Sequence, residues 1–173
     1  MTIILICSWA KHERAMEHYA TLAVESEAYL QQVQCSAEVV TMPDGGVETQ
    51  FYAEPPPPPR LGTIVGDVVH NLRSALDVAA WQLAIDHDEA KARDNQMRIQ
   101  FPLTRNPAKF KKHKALPFFS EDARRVLERL QPYQPSHEAL GWLRDLSNAD
   151  KHRLTTFAFP GMTTVPDVEE VGV

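Results

Sequence analysis

The chain has 173 residues, 43% hydrophobic and 24% charged, with a formal net charge of -5. That length suits one domain with a buried core, and the acidic balance excludes nucleic-acid binding through global charge. Two cysteines far apart, Cys7 and Cys35, fit a reducing cytoplasm better than a disulfide framework.

The opening Thr2–Cys7 run is apolar but too short to span a bilayer, and it lacks the basic start of a signal peptide. A cytoplasmic protein without membrane association is expected, with residues 2–7 a strand or a poorly ordered start. From 9 to 33, Ala15, Tyr19, Leu22, Ala23, Leu30 and Val33 recur at helical spacing, which predicts a long amphipathic helix. Two β-prone runs, 36–42 and 47–53, flank Pro43-Asp44-Gly45-Gly46. Pro presets one turn dihedral and Gly permits positive φ, so 36–53 reads as a β-hairpin. The run Pro55–Pro59 reads as an extended spacer.

Residues 61–85 carry Ile64, Val65, Val68, Leu72, Ala75, Leu76, Ala79 and Leu83 on a wide aliphatic face, which predicts a central helix. A charged connection, 86–98, leads to Ile99–Leu103 and a basic loop. Ser120 caps a helix over 120–130, which Pro132 and Pro135 break. Ser136 opens a helix over 136–152 with Ala139, Trp142, Leu143 and Leu146 on its buried side. Residues 153–159 read as a short strand, and 162–173 as a mobile tail. The expected fold is α+β and helix-dominated: a single domain of four main helices, a hairpin and a C-terminal strand.

Two polar clusters interrupt this apolar framework. In the first, His70, Arg73, Ser74, Asp77 and Trp81 share one helical stripe. An imidazole beside an acid and an arginine has the ingredients of acid–base chemistry at an anion. The same spacing also gives an ordinary Arg73–Asp77 pair within the helix. In the second, Arg144, Asn148, Lys151 and His152, with Asp150 and Arg153, gather cations and an amide at a helix end. They either bind phosphate or simply complement the helix macrodipole.

Between Arg105 and Arg129, eight Lys/Arg stand against three Asp/Glu. Lys109, Lys111, Lys112 and Lys114 alternate with Phe110, His113, Phe118 and Phe119. Cations interleaved with rings hold single-stranded nucleic acid by attraction and base stacking. A solvated loop tied to the core by its phenylalanines reads the same way in sequence. No His, Cys, Asp or Glu spacing marks a metal site, and neither a nucleophile elbow nor a Gly-rich phosphate loop occurs. No metal and no cofactor are expected.

Gly66-Asp67-x-x-His70-Asn71-Leu72-Arg73-Ser74-Ala75-Leu76-Asp77 is followed by Phe101-Pro102, Leu130-Gln131-Pro132-Tyr133 and Asp150-Lys151-His152-Arg153. As a set these motifs resemble a family of uncharacterised bacterial and phage proteins, which implies a shared fold and no mechanism. More loosely, Asn148 and His152 resemble the Arg-polar-His signature of HEPN domains, helical nucleotide-binding and RNA-cleaving modules found in toxins and phage defence. Ser147 stands where that signature has its arginine, so Arg144, Arg153 or Arg73 would have to take the part in space.

The resemblance implies an RNA- or nucleotide-binding protein, of the metal-independent ribonuclease type. His152 would act as acid–base, Arg73 or Arg144 would face the phosphorane, and Asn148 and Asp77 would orient, with His70 alongside. Lys151, Arg153, Lys109, Lys111, Lys112 and Lys114 would hold phosphates. HEPN-type domains often work as homodimers. The rival reading is a non-enzymatic interaction module whose polar clusters form a buried ion-pair network.

Overall fold

The computed structural model describes residues 3–152. The expected strand over 153–159, the tail 162–173 and Arg153 lie outside the described residues. Within them the fold is helix-dominated α+β, built on a long antiparallel helix pair with a hairpin between its members.

Helix α1 runs Ile3–Leu30, β1 Gln34–Thr41, β2 Val47–Glu54 and α2 Pro59–His87. The expected strand or loose start before residue 8 is instead the first turn of α1. A short apolar run carries no period of its own, and here it continues a helix fastened at Ser8, whose hydroxyl donates to Ala75 O at 2.8 Å. Ser8, Ala15, Leu22 and Tyr29, seven apart, form the covered seam of α1. This repeat keeps one face on α2 along its length. Arg60 closes the far end on Glu25 at 2.9 Å.

The hairpin pairs Gln34 with Glu54 and Thr41 with Val47. Its turn is made as expected: Gly45 takes φ 82, and the Asp44 carboxylate accepts Gly46 N–H at 2.9 Å. Tyr29 Oη donates to Pro55 O at 3.0 Å, tying the end of α1 to the proline run.

The core lies around the second half of α2. Ala80 and Ala84, with Ala92 of α3 (Glu89–Asp94), make room for Ile99, Phe101, Leu103, Phe110, Phe118, Phe119 and Leu127. Phe110 belongs to α4 (Pro107–Lys111) and Leu127 to α5 (Glu121–Arg129). Ser120 caps α5 as expected, its hydroxyl accepting Ala123 N–H at 3.2 Å. The last helix, α6, spans Glu138–His152 and packs on α2.

The face of α6 differs from expectation. Leu143 and Ser147 are buried, whereas Trp142 is 70% exposed and Leu146 and Ala139 also face outward. The helix is rotated so that its Arg144–Ser147 edge, not its tryptophan edge, meets α2.

Ile99–Thr104 has no regular secondary structure, yet five of its six residues are buried. Buried backbone polar groups must find partners, and side chains from two helices supply them. From α2, the Asp77 carboxylate accepts Phe101 N–H at 2.9 Å while Arg73 Nη2 donates to Phe101 O at 2.8 Å. From the end of α5, Gln131 reaches Pro102 and Thr104. This doubly fastened segment forms one wall of the cleft described next.

Candidate anion-binding cleft

α2, the Ile99–Thr104 segment and α6 enclose a polar chamber of about 200 Å³. Arg73 and Asp77 line it from one side, Gln100, Phe101 and Leu103 from the second, and Arg144, Ser147 and Asn148 from the third, with His113 at its mouth. A more open trough of about 480 Å³ continues outward past Leu103, His113, Arg144 and Asn148. Its remaining lining includes Arg105, Lys109, Lys112 and Lys114, with Asp145 as the carboxylate.

Two of the sequence-level clusters therefore meet. Arg73 and Asp77 of the first and Arg144 and Asn148 of the second share one chamber, and Lys109, Lys112 and Lys114 border its entrance. His70 does not join them: it is exposed on α2 and does not line the cleft, and Lys111 lies away from it as well. Lys151 and His152 are placed only as backbone of the last turn of α6.

Arg73 is held hard. Its Nε and Nη2 donate to the two oxygens of Asp77 at 3.2 and 2.9 Å, and Nη2 also serves Phe101 O. With 16% of the arginine and 31% of the aspartate side chain exposed, the pair is a clamp between helix and segment, more than the intrahelical pair that the four-residue spacing implies. Nη1 of Arg73 has no hydrogen-bond partner among the described residues.

Arg144 is also largely covered. Its Nε and Nη2 donate to Asp145 at 2.8 and 2.9 Å, and its Nη1 is shielded from solvent with no partner among the described residues. Those hydrogen bonds from Arg144 hold the Asp145 carboxyl below the usual range, although desolvation works against them. Arg105, 3.5 Å away, adds to the effect.

His113 was legible in sequence only as one ring in a basic loop. Its Nδ1 accepts Ala115 N–H at 3.3 Å, which leaves the proton of the neutral ring on Nε2. Burial pushes its pKa below the ordinary 6.5, and the charges of Lys114 and Arg73 push the same way. An imidazole whose pKa falls on folding takes up fewer protons folded than unfolded, so it withdraws stability as pH drops below about 6.5. Wild type should lose more stability than His113→Gln between neutral pH and pH 5, as denaturant titrations would read. Parallel pH curves would contradict this.

The phenylalanines of the basic loop answer the stacking question. Phe110, Phe118 and Phe119 are buried in the core, and Lys91 and Arg98 lie over the Phe118 ring at 5.6 and 5.5 Å. None lines the trough, so their alternation with lysine serves packing. What this loop brings to the cleft is lysine charge and the His113 imidazole, with no phenylalanine platform. Among the described residues no group of three His, Cys, Asp or Glu is placed to hold a metal, and no helix is long and apolar enough to cross a membrane. Compared with known proteins, the chain matches no family model, no curated protein and no solved structure.

Proposed function

We propose that the cleft binds RNA or a nucleotide through its phosphates, as a HEPN-like domain. The observation that carries this reading is the convergence of Arg73, Arg144 and the Lys109–Lys114 loop on one cavity, where Asp77 and Asp145 already have arginine partners. Donors without free carboxylates suit an oxyanion. With none of the loop's phenylalanines lining the trough, recognition follows the backbone and is indifferent to base sequence.

Binding of single-stranded RNA is then salt-dependent. Each phosphate contact contributes about 0.7 to the slope of log affinity against log salt for single strands. Replacing Lys109, Lys112 and Lys114 together by alanine should make that slope shallower by about 2. Fluorescence anisotropy over a salt series checks this. An unchanged slope in the triple variant would remove the trough from the interface.

Metal-independent cleavage is the finer form of the proposal. His152 serves as leaving-group acid and Arg144 faces the phosphorane charge, while Asn148 orients the substrate. Labelled RNA incubated in chelator with wild type and His152→Ala tests it. Cleavage lost in the variant, with binding retained, supports the enzyme. Equal products, or none from either, leave a binding protein.

The rival reading, a structural module, has its own observation in the first cluster. Arg73 and Asp77 spend most of their hydrogen-bonding capacity on each other and on Phe101. Arg73 is then a positioning residue with one free edge, and the chemistry of the cleft falls to α6 and the loop.

A further inference from the structure

Resting on the RNA-binding reading, we infer that the inner chamber is a receptor for the terminal phosphate of the bound strand, a phosphomonoester dianion. Three observations lead there.

The first is shape. The inner chamber shares Leu103, His113, Arg144 and Asn148 with the trough, and its other walls are α2, Gln100–Phe101 and Ser147. A strand lying in the trough reaches the chamber with an end. The chamber is smaller and more enclosed than the trough, and the clamped Arg73–Asp77 pair and the Phe101 backbone form its inner wall.

The second is unspent donor capacity at the junction. Among the described residues Arg144 Nη1 is shielded and unpaired, Arg73 Nη1 has no partner, and His113 carries Nε2–H once Nδ1 is engaged. A guanidinium nitrogen left without a partner away from water is a group that a bound ion would satisfy. These donors come from three different elements, so a local turn or cap does not account for them.

The third is charge. Arg73 and Arg144 line the chamber with their carboxylates, Asp77 and Asp145, already engaged, and the adjoining trough adds Arg105, Lys109, Lys112 and Lys114. The surplus is positive where trough and chamber meet, and a terminal phosphate carries one more negative charge than an internal one. Charge-assisted, multidentate bonds to a dianion are among the strong ones.

The test compares short single-stranded RNAs of one sequence bearing a 5′-phosphate, a 3′-phosphate or two hydroxyl ends, with the fluorophore on an internal base. One phosphorylated end should bind at least about tenfold more tightly than the hydroxyl-ended strand, and which end gains fixes the polarity of the strand in the trough. Arg144→Gln should reduce that ratio to near one. His113→Gln, which leaves α6 intact, should reduce it as well. Equal affinity of wild type for all three strands overturns the end receptor while leaving the backbone-binding cleft in place. Failure of all three to bind at low salt overturns both. A preference that survives both substitutions places the phosphate elsewhere and also overturns the inference.

Discussion

Gln131→Leu should cost about 3–5 kcal/mol, lowering the melting temperature by about 6–20 °C for a domain of this size. The Gln131 side chain is fully buried and makes four hydrogen bonds. Its amide nitrogen donates to Pro102 O at 2.7 Å and Leu127 O at 2.9 Å. Its oxygen accepts from Thr104 N–H and Thr104 Oγ1, both at 3.0 Å. Four is all that an amide side chain can make. Leucine fills similar volume but leaves Thr104 N–H and Pro102 O without partners inside the protein, and each such group costs about 1–3 kcal/mol. Gln131→Glu is a sharper probe. An ionised carboxylate keeps the two acceptor positions but turns the two donated bonds into oxygen–oxygen contacts, so that variant should regain stability as pH falls. A melting temperature for Gln131→Leu within experimental error of wild type would mean that the Ile99–Thr104 segment is held by its neighbours' packing alone.

This segment also marks where sequence reasoning ran out. Residues that obey a period were readable: the 61–85 helix is found as Pro59–His87, and the 36–53 hairpin as Gln34–Glu54. The 136–152 helix begins two residues late, because Ser136 adopts φ 67 ahead of it. Two short helices were missed although their start signals are present. Asp88 caps α3 by accepting Lys91 N–H, and Asn106 caps α4 ahead of Pro107. Ile99–Thr104 has no such local signal. Its burial depends on Asp77, 24 residues away, and on Gln131, 27 residues beyond Thr104, and periodicity holds no information about such pairings.

The same limit applied to the candidate site. The clusters on α2 and α6 were visible as anomalies, charges set among aliphatic residues, and their convergence follows from the packing of those helices. His70 shares a helical stripe with Arg73 in projection, but one turn along α2 takes it beyond the wall of the chamber. His113 was the reverse case: its ring gains meaning only from burial and from an arginine forty residues earlier in the chain. For Phe110, composition suggested stacking. Its place in the short helix α4 turns it inward, while Lys109 and Lys112 line the trough.

Asp77→Ala should destabilise the protein by about 2–3 kcal/mol, less than a fully buried pair would lose because part of the carboxylate meets water. The loss has two parts. Phe101 N–H is left without its acceptor inside the wall of the cleft, and Arg73 keeps its charge but loses its counterion. Arg73→Ala should cost a similar amount, since it strands Phe101 O and the carboxylate together. A double-mutant cycle separates a clamp from two independent contacts. If the guanidinium and the carboxylate hold Phe101 as one unit, the second substitution removes little that the first had not already removed. The double variant should then be more stable than the sum of the singles by about 1–2 kcal/mol. Arg73→Lys refines the result: an ammonium keeps the charge but cannot span both Asp77 oxygens and Phe101 O in one plane, so it should recover less than half of the loss. Strict additivity in the cycle would show that α2 meets the segment at two unrelated points, and the pair would then lose its standing as the device that shapes the chamber.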